Sequence, residues 1–266
     1  MLIDILAALA VLVSTGLIFG IVLALFIRFF GKEDDQKMKD VRDALPGVNC
    51  GACGFRGCND YAEALCNGSA KPNLCVPGAE DVSKTLGGIL GVEVEASRNM
   101  VAVVNCNGTC EAVAKKAEYD GMMSCKACAL LFAGPTSCRY GCLGCGDCAK
   151  VCNSQAISII DGVAVVDARL CVGCGLCAKE CPKKIISIVP AQAAVAVYCS
   201  NKDKGADARK ACKNACIGCK KCEKVCPSQA VTVINNCAVI DYTKCTGCGS
   251  CAETCPTGCI KSYPKN

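Results

Sequence analysis

Tyr140-Gly-Cys142-Leu-Gly-Cys145-Gly-Asp-Cys148-Ala-Lys-Val-Cys152 places four cysteines in the spacing C-x-x-C-x-x-C-x-x-x-C. The spacing returns at Cys171/Cys174/Cys177/Cys181, at Cys216/Cys219/Cys222/Cys226 and at Cys245/Cys248/Cys251/Cys255. Two thiolates separated by two residues can reach adjacent corners of a 4Fe-4S cube, and a third follows on the same loop. The fourth, a turn further on, serves the neighbouring cube of a two-cluster unit, so motifs of this kind work in pairs. The expected ligand sets are Cys142, Cys145, Cys148 and Cys181; Cys152, Cys171, Cys174 and Cys177; Cys216, Cys219, Cys222 and Cys255; and Cys226, Cys245, Cys248 and Cys251.

The 266 residues include 30 cysteines and no histidine. So much cysteine would suit a disulfide scaffold in a short secreted chain, which this is not. Structural zinc normally takes well-separated Cys-x-x-Cys pairs or adds histidine, and the tight repeated pitch here favours iron-sulfur clusters. The absence of histidine also removes Rieske centres and ordinary haem ligation. The formal charge of +5 counts every cysteine as a neutral thiol. A cluster with four thiolates is a dianion, so five or six of them bring the loaded chain to roughly −5 to −7, and net charge gives no reason to expect a nucleic-acid partner. Each small unit should depend on its clusters for folding.

No charged residue interrupts Ile5 to Ile27. As a helix that stretch is about 35 Å long, enough for one membrane span. Asp4 and the lack of any basic residue before Arg28 argue against a cleaved signal. Arg28, Lys32, Lys37 and Lys39 follow the span, which places the remainder on the cytoplasmic side of the cell membrane, where thiols stay reduced. Gly31 to Lys39 reads as a solvated linker.

Cys50, Cys53, Cys58 and Cys75 form a fifth set, with a short helix from about Asp60 to Cys66; Cys66 is expected to pack rather than ligate. Alternation at Val92, Val94, Val101 and Val103 around Ser97-Arg98-Asn99 predicts a hairpin, followed by helical stretches near Thr109 to Tyr119 and Lys126 to Phe132. Cys106, Cys110, Cys125, Cys128 and Cys138 fall in this middle module, and four of them could hold a sixth cluster. Their irregular spacing does not say which four, and Cys138 could also replace a member of the next quartet.

The segments around Cys138/Cys142 to Cys152 and Cys212/Cys216 to Cys226 repeat one another. Each continues with Ser-Gln-Ala and a hairpin: Ile157 to Ile160 and Val163 to Val166 about Asp161-Gly162, then Val231 to Ile234 and Ala238 to Ile240 about Asn235-Asn236. Residues 190–210 form an alanine-rich, partly strand-like connection, and Cys199, Cys212, Cys237 and Cys259 are expected as packing residues. The expected class is α+β. It comprises a transmembrane helix (1–30), a juxtamembrane linker with a small 4Fe-4S domain (31–85), a small α/β middle module (86–138), a two-cluster ferredoxin domain (139–190), and a connection with a second one (191–266).

Gly144 to Ala149 and Gly173 to Ala178 match G-x-G-x-x-A, but these glycines lie within cysteine loops and no βαβ unit follows. No phosphate loop or catalytic pair stands out, so neither flavin nor NAD is expected on this chain. Lys213, Lys220, Lys221 and Lys224 form either a solvated face or a docking patch for an acidic redox protein.

Taken together, the apolar N-terminal stretch, Asn49-Cys50-Gly-Ala-Cys53-Gly-Phe-Arg-Gly-Cys58, Tyr61-Ala-Glu-Ala64, Cys75-Val-Pro-Gly78, Tyr140 to Gly144 and the quartets resemble the B-subunit family of Rnf (also Rsx) electron-transport complexes. The resemblance covers essentially the whole chain and fits the long, polyferredoxin form. One departure is Asn153 after Cys152, where Cys181, Cys226 and Cys255 are followed by proline; the other is the surplus of cysteines between 106 and 138.

The resemblance implies an electron-transfer subunit of a translocase, with no substrate-converting site of its own. It would pass electrons between soluble ferredoxin and a membrane ferredoxin:NAD oxidoreductase coupled to Na+ or H+ movement, with the other subunits as partners. A second implied role is that of an Rsx-type reductase keeping a redox-sensing transcription factor reduced.

Overall fold

The computed structural model describes residues 2–30, 32–94 and 99–263, with side chains for 12–26, 36–94 and 99–263. Helix α1 (Leu2–Phe30) opens the chain. Its described side chains, 12–26, are all exposed, among them Leu12, Phe19 and Phe26. Counted over the described residues, no helix is long and apolar enough to cross a membrane.

Helix α2 (Lys32–Ala44) replaces the expected linker. Charged residues dominate it, but Met38, Val41 and Leu45 recur at helical spacing on one side, and that side packs inward. It lies against α3 (Cys58–Cys66) and α4 (Ala79–Leu90), with Val41, Tyr61, Ala62 and Leu86 at the centre. Gly91 ends α4 in the left-handed conformation, φ 70°. Tyr61 ties the loop before Cys75 to this core: its hydroxyl donates to the Lys71 carbonyl at 2.6 Å and accepts from the Leu74 N–H at 3.2 Å.

Beyond this domain the chain makes the same unit twice. Strand β1 (Met100–Val104) precedes α5 (Cys125–Leu130) and α6 (Asp147–Lys150). Then come the hairpin β2 (Ile157–Ile160) and β3 (Val163–Val166), α7 (Leu176–Glu180) and β4 (Ile186–Pro190). The second unit runs β5 (Val195–Val197), α8 (Gly205–Ala211), α9 (Lys221–Val225), β6 (Val231–Ile234), β7 (Cys237–Ile240), α10 (Ser250–Glu253) and β8 (Ile260–Ser262). In each unit the inner hairpin pairs with itself, β2 with β3 and β6 with β7. The first strand pairs antiparallel with the last, β1 with β4 and β5 with β8. Both hairpin turns carry the positive φ that their residues suit: Asp161 48° and Gly162 80°, Asn235 48° and Asn236 62°.

The pairing of β1 corrects the expected middle module. Val92 and Val94 are irregular backbone, and β1, paired with β4, is buried on both faces, Ala102 and Val104 against the β2–β3 hairpin and Val101 and Val103 against the second unit, rather than alternating as in a local hairpin. The expected helix near Thr109 to Tyr119 is also absent. After one turn the chain is drawn out by a bridge between Lys115 and Thr136, and the Lys116 N–H reaches the Pro135 carbonyl at 2.8 Å. The expected helix near Lys126 to Phe132 is shorter, as α5. The two units share a core of Val101, Val103, Val189, Ala196 and Tyr263.

Tyr61→Phe should cost about 1–3 kcal/mol by leaving the Leu74 N–H and Lys71 carbonyl without their partner. A lower thermal midpoint of the anaerobic, iron-loaded chain checks it.

Candidate metal centres

The loops that carry the quartets are closed by short contacts rather than by large side chains. Gly144 has φ 72°, and a Cβ there would stand 2.7 Å from the Gly162 carbonyl oxygen, so the cysteine loop can lie directly on the hairpin turn. The helices α6, α7, α9 and α10 each start beside a cysteine loop and place the third cysteine, Cys148, Cys177, Cys222 or Cys251, in the interior.

In the second unit, Cys216, Cys219, Cys222 and Cys255 line one void of about 310 Å³, together with Cys259. Cys255 lies beyond α10, so the set is drawn from both motifs. Burial first, then the charges of Cys216, Cys219 and Cys255, pushes the Cys222 thiol up to about 11. Burial first, then the charges of Cys245, Cys248 and Cys226, raises the Cys251 thiol, so Cys226 acts on cysteines outside its own loop.

The first unit has the same exchange. Burial and the charges of Cys171, Cys174 and Cys152 push Cys177 up to about 12. A void of about 350 Å³ is lined by Cys142, Cys148 and Cys181, but its fourth cysteine is Cys125 from α5. The expected member Cys145 does not line it: its sulfur donates to the Leu143 carbonyl at 3.6 Å, and burial, then Cys125 and Cys128, push its thiol up to about 12. Helix α5 is held there by Asp147, whose carboxylate accepts from the Ser124 hydroxyl at 2.8 Å and the Lys126 N–H at 3.2 Å. Burial opposes charge on Asp147, yet these bonds and Lys150 keep its carboxyl below the usual range.

In the small domain, burial first, then the charges of Cys58, Cys50 and Cys53, raises the Cys75 thiol; Cys58 and Cys75 are buried in that domain's core, with Cys53 packed against it. Burial first, and with it the charge of Cys50, raises the Cys174 thiol of the first unit, and the Asn153 side-chain amide donates to the Val48 carbonyl at 3.3 Å. Cys66 packs on Met38, their sulfurs 3.8 Å apart.

The middle cysteines separate into three places. Cys125 and Cys128 are buried beside the first quartet, Cys110 is exposed next to the Asp161-Gly162 turn, and Cys106 and Cys138 face a different void. That void also takes Cys199 and Cys212, both expected to be packing residues. Cys237 and Cys259 are buried in the second unit's core, Cys259 with its sulfur 3.5 Å from that of Cys255. Among the described residues no group of three or more His, Cys, Asp or Glu side chains is gathered so as to hold a metal ion.

The donor chemistry fits iron-sulfur clusters on two counts. The sets are sulfur throughout, and backbone N–H groups point at the sulfurs: Ala102 at Cys171 (3.3 Å), Ala156 at Cys152 (3.4 Å) and Ala230 at Cys226 (3.3 Å). Buried thiols such as Cys148, pushed up to about 12 mainly by desolvation, stay protonated near neutral pH unless a cation replaces the proton.

Relatives with this architecture are known by name. The chain is 44% identical over 245 residues to the B-subunit of the Na+-translocating ferredoxin:NAD+ oxidoreductase complex of Acetobacterium woodii, covering 92% of this chain and 74% of the relative. It is 45% identical over 235 residues to the proton-translocating counterpart of Clostridium ljungdahlii, covering 88% and 83%. The chain belongs to the B-subunit family of ion-translocating ferredoxin:NAD+ oxidoreductases. A member of this family from Methanosarcina acetivorans, the B-subunit of an ion-translocating oxidoreductase complex, is 39% identical over 207 residues, covering 77% and 78%. Family models match a putative Fe-S cluster at 45–77, 4Fe-4S dicluster domains at 141–194 and 170–231, and a 4Fe-4S binding domain at 238–261. Several 4Fe-4S binding domains are thus present in this member of the family.

Asp147→Ala should free α5 and open the first quartet, with iron from that set stripped several-fold faster by a chelator while the remaining iron leaves at the wild-type rate. Time-resolved iron release checks it.

Proposed function

We propose that the chain is the electron-transfer subunit of an ion-translocating ferredoxin:NAD+ oxidoreductase complex, carrying electrons between soluble ferredoxin and the membrane subunits. The observation that carries this reading is the file of cysteine sets. Asn153, next to Cys152, bonds to Val48 of the small domain two residues before Cys50; Cys148 and Cys177, from the two sets of the first unit, share one core; and the second unit continues beyond through a core common to both units. The ligands are Cys50, Cys53, Cys58 and Cys75, and the four quartets as paired across motifs, with Cys125 standing beside Cys142, Cys148 and Cys181 where Cys145 was expected. Bound 4Fe-4S clusters supply one-electron chemistry that moves no atom. The residues of the chain space those sites, bury them, and supply the N–H donors that favour added negative charge.

The two ends of the file differ. At one end α2 joins the small domain to α1, whose described side chains are exposed and apolar. That surface suits a lipid or membrane-subunit environment, and we place the anchor in the cytoplasmic membrane with the cluster domains on the cytoplasmic side. At the other end Cys219 and Cys248 are exposed, and Lys213, Lys220, Lys221 and Lys224 are exposed around the loop of Cys219. A positive rim beside an accessible site suits docking of an acidic ferredoxin. Ion movement belongs to partner subunits, since the apolar stretch of α1 offers no ionisable residue after Asp4.

Anaerobic titration of the detergent-solubilised full chain with reduced ferredoxin, followed by EPR, tests the reading. Signals of 4Fe-4S type growing with each equivalent support it; clusters that ferredoxin cannot reduce overturn it. Changing Lys220, Lys221 and Lys224 to Glu should slow reduction by ferredoxin about tenfold or more at low salt, with the difference shrinking as salt rises. Stopped-flow rates against ionic strength check it.

A further inference from the structure

We propose that Cys106, Cys138, Cys199 and Cys212 hold a further 4Fe-4S cluster at the junction of the two ferredoxin units. The four line one pocket, and none of them belongs to a quartet; Cys142, the first ligand of the neighbouring quartet, borders the same pocket. Cys138 and Cys212 are buried, Cys106 and Cys199 half-buried. A Cβ at Gly108 would meet the Val113 side chain at 2.8 Å, and the Cys106 and Cys212 sulfurs lie 3.5 and 3.7 Å from the same point, so the two sulfurs border one small space.

The internal repeat makes this arrangement two halves of one site. Cys106 follows β1 and Cys199 follows β5; Cys138 stands four residues before Cys142, and Cys212 four before Cys216. The hydrogen bonds correspond one to one. The sulfur of Cys106 accepts the Gly108 N–H at 3.4 Å and the Cys142 N–H at 3.3 Å; that of Cys199 accepts the Asn201 N–H at 3.4 Å and the Cys216 N–H at 3.2 Å. The buried Asn201 amide donates to the Cys138 sulfur at 3.6 Å. Donors aimed at sulfur are what a thiolate ligand needs and a packing thiol does not.

Further bonds lash the halves together around the void. The Asn105 amide reaches the Val197 carbonyl at 2.8 Å, the Ser200 hydroxyl the Asn105 carbonyl at 2.8 Å, and the Asn214 amide the Asn107 carbonyl at 2.9 Å. The Lys183 ammonium is fixed by the Ala133 and Arg139 carbonyls and feels the charge of Cys138.

This site deepens the electron-transfer reading and rests on it only for its role. Cys142 and Cys216, whose N–H groups meet the site, are the first ligands of the quartets on either side. A cluster here would take one electron from one unit and give that electron to the other, with no proton or atom exchanged.

Iron and zinc analysis with EPR of the full chain, purified anaerobically, tests the site. The wild type should hold about 24 irons, and the double variant Cys138→Ala/Cys212→Ala about four fewer, with the other signals unchanged. Cys110→Ala should retain the wild-type count. Wild-type iron in the double variant, or one zinc per wild-type chain, overturns the proposal. Should the double variant fail to fold, Cys199→Ser decides. The hydroxyl can still ligate, so a shifted EPR signal at full iron supports the site and an unaltered spectrum overturns it. Failure of ferredoxin to reduce a fully loaded chain would overturn the electron-transfer reading and leave the iron count standing.

Discussion

Sulfur stands where most domains of this size place an apolar core. The core of the second unit is built from Val195, Val197, Val231, Ala238, Ile240 and Ile260 together with five buried cysteines, and its strands are three or four residues long. So little apolar area cannot offset the chain entropy of ordering these loops. Desolvation makes matters worse for thiolates alone, since it pushes Cys148 and Cys177 up to about 12. Iron reverses that sign: it replaces the protons, turns the buried sulfurs into ligands and couples folding to cluster assembly.

Duplication gives the molecule its layout, and a difference between the copies gives it direction. Between Cys106 and Cys138 the first copy has a long excursion that supplies α5, whereas Cys199 and Cys212 of the second are joined by little more than α8. Asp147 pins α5 against the first quartet, so Cys125 and Cys128 cover Cys145, while its counterpart Cys219 is exposed. The same sequence motif therefore yields an enclosed site in the middle of the file and an accessible one near its end.

Features fixed by local chemistry were legible in the sequence. The hairpins at 157–166 and 231–240 follow from turn residues that tolerate positive φ, and α3 from its short apolar periodicity. What escaped was decided by distant partners. The valines before Cys106 suggested a local hairpin, but their partner is Ile186–Pro190. Charge concealed α2, whose buried stripe of Met38, Val41 and Leu45 gains meaning only against Tyr61 and Leu86. Cys199 and Cys212 read as packing residues because neither belongs to a spaced motif. The one available signal was the repeat, which pairs Cys138 with Cys212 and so gives both the same environment.

The single break in the quartet pattern acquires a physical reason at the domain junction. Proline after Cys181, Cys226 and Cys255 fixes φ and removes a donor at the point where each chain leaves its cysteine loop. After Cys152 the residue is Asn153, and its amide spans to Val48, just ahead of Cys50. A proline could not make that bond, and without it the small domain would lose a tether to the first unit two residues before Cys50. The substitution falls at the quartet cysteine whose following residue bonds to the small domain. There the rigidity of proline is exchanged for a hydrogen bond that helps set the spacing between neighbouring sites, the quantity on which transfer along the file depends.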